Sequence, residues 1–273
     1  MMDIIVLDLD GTLLNSRKEI SPANYAALER AAEAGTLIVP STGRFYSGMP
    51  EAVRKLPFVR YAITVNGAMI YDAKEGKTLY SAELDCARAD QVYDFLDTLD
   101  VIYDCFQDGW GWMDQSHQEK APEYVQEPHV LEMIYRLRTP LKNFRQTIRQ
   151  REKGLQKIQM FFRDPKLRLK MLTELPHRFP DLSITTSISN NIEINCAGAD
   201  KGTALRELCR QLGLDINRSM AFGDGLNDTS MLQAANIGVA MENAHPDLKA
   251  VADYITDSND SDGVAKAISH FCF

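Results

Sequence analysis

The chain has 273 residues, 45% of them apolar and 25% charged, and its 38 acidic side chains outnumber 30 Lys and Arg to leave a net charge of -8. That length holds one large or two medium domains around an ample core, and the composition is that of a soluble globular protein rather than a disordered one. The acidic balance argues against a nucleic-acid backbone as partner, because binding many phosphates needs clustered Lys and Arg, whereas a small phosphate ester needs only a local concentration of donors.

The cysteines, Cys86, Cys105, Cys196, Cys209 and Cys272, are odd in number, scattered and without CxxC pairing. They read as free thiols of a reducing compartment, not as a disulfide framework or a zinc site. No apolar run approaches the roughly 18 residues of a membrane span. Asp3 interrupts the only apolar stretch at the N-terminus, and no basic segment precedes it, unlike a signal peptide. A cytoplasmic location with no membrane partner is expected.

Ile4 to Leu7 form a short β-branched apolar run that predicts a fully buried parallel strand over 3–9, ending in Asp8, Asp10 and Gly11. Ser21 and Pro22 open a helix that Gly35 closes. Residues 36–40 form a second strand ending at Ser41-Thr42-Gly43-Arg44, a short helix is expected over 47–55, and 61–65 is a third strand. Asn66-Gly67 turns the chain into 68–71, and a tight turn at 74–77 leads to a strand over 78–84. Strands and helices in this alternation imply an α/β fold with a doubly wound parallel sheet and right-handed crossovers.

The rhythm changes near residue 83. A helix over 87–99 is followed by strands at 101–106 and 110–113, a strand-like stretch at 132–136, a helix near 141–149, a strand at 156–162, a helix at 165–175 and two strands through 183–195. Strands that follow one another directly suggest an antiparallel sheet covered by helices. Residues 83–191 are therefore expected to be an inserted α+β domain, with 1–82 and 192–273 forming the other. The βα rhythm returns with a helix from Ala199 or Asp200 to Leu212, a strand at 219–222 ending in Gly223-Asp224-Gly225-Leu226-Asn227-Asp228, a helix to Ala235, a strand at 237–241, a helix at 246–252, a short strand at 254–256 and a last helix at 263–271.

Four polar clusters thus fall at strand ends or helix starts of one sheet: Asp8 with Asp10, Thr42-Gly43, Lys201, and Asp224 with Asn227 and Asp228. In open α/β sheets ligands lie beyond the carboxyl ends of the strands. Singly, each cluster has an ordinary explanation as a turn, a loop pair or a solvated charge. Together they supply what phosphoryl transfer requires. Close carboxylates repel unless a cation neutralises them, and Mg²⁺ suits one or two carboxylates with phosphate oxygens. Asp8 suits a nucleophile that forms an aspartyl-phosphate, and Asp10 a general acid and then base. Asp224 completes the metal carboxylates, Thr42, Gly43, Asn227 and Lys201 hold the phosphate, and Asp228 orients Lys201 or supports the metal shell.

These segments, in this order, resemble motifs one to four of the haloacid dehalogenase superfamily of phosphatases. The insertion after the second motif and before Lys201-Gly202 is similar to the C2B cap of the Cof-type, subclass IIB hydrolases, and Asn66-Gly67-Ala68 is similar to that subfamily as well. The resemblance spans the whole chain and implies a Rossmann-like core, a cap mobile relative to it, and Mg²⁺-dependent hydrolysis of small phosphate monoesters. By position it implies Asp8 as nucleophile and metal ligand, Asp10 as acid/base and metal ligand through its main-chain carbonyl, and Asp224 as metal ligand. The Leu9 amide, Thr42, Gly43, Lys201 and Asn227 would be phosphate contacts. Ser41 stands where alanine is more usual, a change outside the chemistry.

The partner expected is a small phosphorylated metabolite: a sugar phosphate, a phosphorylated cofactor such as pyridoxal phosphate, or a flavin nucleotide. The motifs specify neither the individual substrate nor the oligomeric state. A phosphomutase on the same core, a signalling receiver domain and a non-catalytic phospho-ligand sensor are the competing readings, and the receiver would need neither Asp10 nor the insertion. Trp110 and Trp112 read as packing residues. Arg44 is left between a fold role and a substrate contact. Lys120, Arg136, Arg138 and Lys157 suit a second substrate anion or a solvated surface equally.

Overall fold

The computed structural model describes residues 2–273, in two compact units. One comprises the chain up to Ser81 together with Asp200–Phe273, and the other comprises Ala82–Ala199. The strands of the first unit that precede the insertion are β1 (Ile4–Asp8), β2 (Leu37–Ser41), β3 (Tyr61–Thr64), β4 (Met69–Asp72) and β5 (Lys77–Ser81). The inserted unit holds β6 (Val101–Gln107), β7 (Trp110–Asp114), β8 (Arg138–Leu141), β9 (Lys157–Phe162), β10 (Leu182–Thr185) and β11 (Asn191–Cys196). The first unit is completed by β12 (Ser219–Gly223), β13 (Ile237–Ala240) and β14 (Tyr254–Ile255).

The first sheet has the order β14-β13-β12-β1-β2-β3-β4-β5. It is parallel from β14 to β3, and β4 and β5 extend it antiparallel. β1 lies between β2 and β12, and all five of its residues are buried, which is why an unbroken apolar run serves there rather than an alternating one. The strands that follow β1 build outward on one side and those after the insertion on the other. The order therefore reverses at β1, and the crevice at its carboxyl end is where such folds hold ligands. The helix expected over 47–55 is broken into a 3-10 turn, Tyr46–Gly48, and a single helical turn, Glu51–Arg54. Pro50 stands extended between them, and a residue preceding proline is disfavoured in helical conformation.

The inserted unit is a six-stranded sheet in the order β10-β11-β9-β6-β7-β8, antiparallel except between β7 and β8. Two of its elements differ from expectation. Residues 132–136 lie inside a helix, Pro128–Leu137, with proline at its first turn and Val130, Ile134 and Leu137 buried along one face. The following helix begins at Phe144, because Arg138–Leu141 pairs with β7 as β8. The helix Gln115–Tyr124 was not anticipated, since only Ala121 and Tyr124 of its ten residues are buried and the apolar period is faint. The chain rejoins the first unit at Asp200, not at 192, because β11 is hydrogen-bonded between β9 and β10. Among the described residues no helix is long and apolar enough to cross a membrane.

Candidate active site

The chain leaves β1 through a tight loop that Leu13 N and Leu14 N close by donating to the carbonyls of Asp8 and Leu9, at 3.2 and 2.9 Å. Gly11 sits there at φ +87°, and a Cβ on it would lie 2.4 Å from Asp224 Oδ2. Only glycine combines that left-handed backbone with that close approach. Thr12 Oγ1 then donates to Asp224 Oδ1 at 2.8 Å. The loop after β1 and the loop after β12 are thereby locked together.

Lys201 is the first residue of the helix Lys201–Leu212, whose N-cap Asp200 accepts from Thr203 N. Its side chain is wholly buried, and Nζ donates to Asp8 Oδ1 at 2.6 Å and to Asp228 Oδ1 at 2.5 Å. Asp228 Oδ2 accepts from the amides of Asp224 and Gly225, each at 3.0 Å. Asp228 thus ties the lysine to the turn that carries Asp224. Gly202 lets this helix seat closely, because a Cβ there would fall 2.1 Å from the Ser230 carbonyl oxygen.

Oxygens of Asp8, Asp224 and Asp228 lie within 4.8 Å of one another. Burial raises the Asp8 carboxyl well above its usual range; Lys201 opposes this, while Asp228 and Asp224 reinforce it. Burial, then repulsion from Asp228, pushes Asp224 up to about 6 against the hydrogen bond from Thr12. Burial disfavours the Lys201 ammonium, yet Asp228 and Asp8 outweigh it and raise its pKa. One ammonium cannot neutralise three carboxylates, so the donor set fits a hard divalent cation such as Mg²⁺.

The carboxylate of Asp10 faces a different set of partners. Lys18 Nζ donates to Oδ1 at 2.8 Å, and Arg44 donates to Oδ2 through Nε at 3.1 Å and Nη2 at 2.8 Å. Burial would raise this carboxyl, but Arg44 and Lys18 together hold it below the ordinary value. Arg44, left open by the sequence, is therefore an ion-pair partner of Asp10. Lys18 was not foreseen; it projects from a turn at φ +63° that the Asn15 carboxamide braces through Arg17 N and Glu19 N, both at 2.9 Å.

Thr42 is buried at the end of β2, its Oγ1 accepting from Arg44 N at 3.2 Å, with Gly43 following it. Asn227 Nδ2 donates to Asn66 Oδ1 at 3.3 Å. Leu9 is fully buried. In the inserted unit, Arg138 and Lys157 are not solvated: each is buried, on Asp104 at 2.8 Å and Glu193 at 3.0 Å. The indole N–H groups of Trp110 and Trp112 are bound to Thr139 Oγ1 and the Gln107 carbonyl.

A family model described as haloacid dehalogenase-like hydrolase matches residues 5–268. The chain belongs to that family. It is 31% identical to the phosphatase YwpJ of Bacillus subtilis, over 98% of this chain and 99% of that one. It is 32% identical to the 5-amino-6-(5-phospho-D-ribitylamino)uracil phosphatase YcsE of the same organism, over 98% and 95%. Its fold matches the subclass IIB sugar phosphatase BT4131 with a TM-score of 0.81 at 25% identity, over 99% of both chains. This haloacid dehalogenase-like hydrolase has a Rossmann-like core with an α+β insertion, the architecture of the Cof-type branch.

Proposed function

We propose that this hydrolase is a Mg²⁺-dependent phosphatase that cleaves a small phosphate monoester through a phosphorylated Asp8. The observation that carries the reading is the buried Lys201 Nζ between Asp8 and Asp228, in a group of three carboxylates at the switch point of the sheet. The carboxylates of Asp8 and Asp224, with the main-chain carbonyl of Asp10, would hold Mg²⁺, which offsets the negative charge of the phosphate oxygens when bound.

Lys201 fixes the orientation of the Asp8 carboxylate, from which an oxygen attacks phosphorus. The bond to the ester oxygen breaks, and Asp10 delivers a proton to that oxygen so that an alcohol leaves. Asp10, now ionised, takes a proton from water as the water oxygen attacks the aspartyl-phosphate, releasing phosphate and restoring Asp8. Arg44 and Lys18 stabilise the ionised form of Asp10 that this second step needs and oppose the protonated form that the first step needs, so the acid step requires Asp10 to come away from them as substrate binds. Thr42, the Leu9 and Gly43 amides, Asn227 and Lys201 hold the phosphate throughout. The names of the relatives favour a phosphorylated small metabolite, either a sugar phosphate or a phosphorylated cofactor.

Phosphate release from a panel of phosphorylated metabolites, with Mg²⁺ and with chelator, tests the proposal. Release should need the metal, and Asp8→Asn should reduce it to background. Metal-supplemented wild type that hydrolyses none of the panel, or an Asp8→Asn variant that keeps its rate, overturns it.

A further inference from the structure

Between β3 and β4 the chain passes through Val65, Asn66 and Gly67 at φ +52°, +56° and +95° in succession. Glycine adopts this region freely and asparagine tolerates it, but a β-branched valine there is a genuine outlier. Such strain persists where its surroundings over-determine it, and it gathers at functional sites.

The links of this turn run to the phosphate-holding residues. Val65 N donates to the Arg44 carbonyl at 2.9 Å, and Asn66 N to the Thr42 carbonyl at 3.0 Å. Gly67 lies against the start of the Lys201 helix, where a Cβ would be 2.1 Å from the Asp200 carbonyl oxygen and 2.7 Å from Lys201 N. The Asn66 side chain, 5% exposed, lies over Gly43, where a Cβ would meet Asn66 Oδ1 at 2.8 Å. The same oxygen accepts from Asn227 Nδ2 at 3.3 Å. One carboxamide thus stands between two segments that are remote in sequence and both expected to touch the phosphate. A left-handed backbone alone would be met at least as well by glycine at 66, so the turn does not explain the side chain.

We infer that Asn66 is a positioning residue for phosphate binding, acting through Asn227 and Gly43, an inference that rests on the phosphatase reading above. An amide NH₂ has two donors. With one of them held by Asn66 Oδ1, the plane of the Asn227 carboxamide is set before ligand arrives, and the remaining hydrogen is aimed rather than free to rotate. Prior ordering of this kind removes part of the entropy cost of binding.

A double-mutant cycle over Asn66→Gly and Asn227→Ala is the test, since glycine keeps the left-handed backbone and removes only the carboxamide. Four quantities are read for each protein: the dissociation constant of inorganic phosphate by calorimetry, kcat and KM for phosphate release, and the melting temperature. Asn66→Gly should weaken phosphate binding by about 3–10-fold, the worth of one hydrogen bond, and should raise KM more than it lowers kcat. In the Asn227→Ala background the same change should do almost nothing, because coupled residues are not additive. Should glycine at 66 lose the fold, Asn66→Ser repeats the cycle with a short side chain that retains a hydroxyl. Additive losses, or an unaltered phosphate affinity in a folded variant, overturn the inference while wild type still releases phosphate. Wild type that releases none removes the phosphatase reading itself.

Discussion

Lys201 places an ammonium among Asp8, Asp224 and Asp228, and its removal tests how those charges are balanced. Lys201→Met leaves two buried carboxylates without their partner, an arrangement that costs about 3–5 kcal/mol. Thermal unfolding should show that loss in chelator and a partial recovery in Mg²⁺, while phosphate release stays at background. A second test concerns Asp72 in β4, whose buried carboxylate accepts from Arg60 Nη2 at 2.8 Å and from the Lys74 and Glu75 amides at 3.0 and 3.1 Å. The hydrogen bond from Arg60, aided by those amides and opposed by burial, holds its pKa below the ordinary 3.8. A folded carboxyl more acidic than the unfolded one adds stability above pH 3.8 and loses it as pH falls through the lower, folded value. Asp72→Asn should therefore melt below wild type at neutral pH, with the gap closing as pH falls through the lowered, folded value of Asp72. Lys201 and the three carboxylates around it were legible in the sequence because their chemistry is unusual at strand ends. Thr12 and Lys18 were not. Their roles depend on a loop closing onto Asp224 and on a left-handed turn, neither of which any local pattern encodes.

Among the elements, the helix Lys201–Leu212 carries the site's cation from its first residue, so its seating matters more than its length. Gly202→Ala places a methyl where the Ser230 carbonyl oxygen already lies. Overpacking of this kind costs about 1–3 kcal/mol and shifts backbone. Urea denaturation should show a loss of that size, and kcat/KM should fall by more than stability alone explains because Lys201 moves with its helix. The start and end of this helix were readable from Asp200 and from Gly213, which closes it at φ +67°. The segment 128–137 was harder, since Met133, Ile134 and Tyr135 together look like a strand. The spacing of Val130, Ile134 and Leu137, with Pro128 at the first turn, is the stronger signal, and it emerges only over a longer window. Pro50 likewise outweighed the helical composition around it.

For the molecule as a whole, the balance of charge in the first unit predicts that Mg²⁺ stabilises it. A ligand that binds only the folded state adds about 2.7 kcal/mol at a hundredfold excess over its dissociation constant. The melting temperature should rise with added Mg²⁺, fall back with chelator, and respond far less in Asp224→Asn. The division into two units was visible in the sequence as a change from alternating to consecutive strands. Its second boundary was not, because β11 alternates apolar and polar residues just as an edge of either sheet could, and only its pairing with β9 and β10 assigns it.

The placement of β1 between β2 and β12 has a bearing on synthesis. A ribosome that has made the first two hundred residues has emitted Asp8 but neither Lys201 nor Asp224, and one side of β1 still lacks its neighbour. The nascent polypeptide is therefore inert toward phosphate esters and exposes an open, apolar strand edge that invites aggregation. Ribosome-bound fragments stalled before residue 219 should be captured by holdase chaperones, and the full-length chain, once released, should fold and turn over substrate.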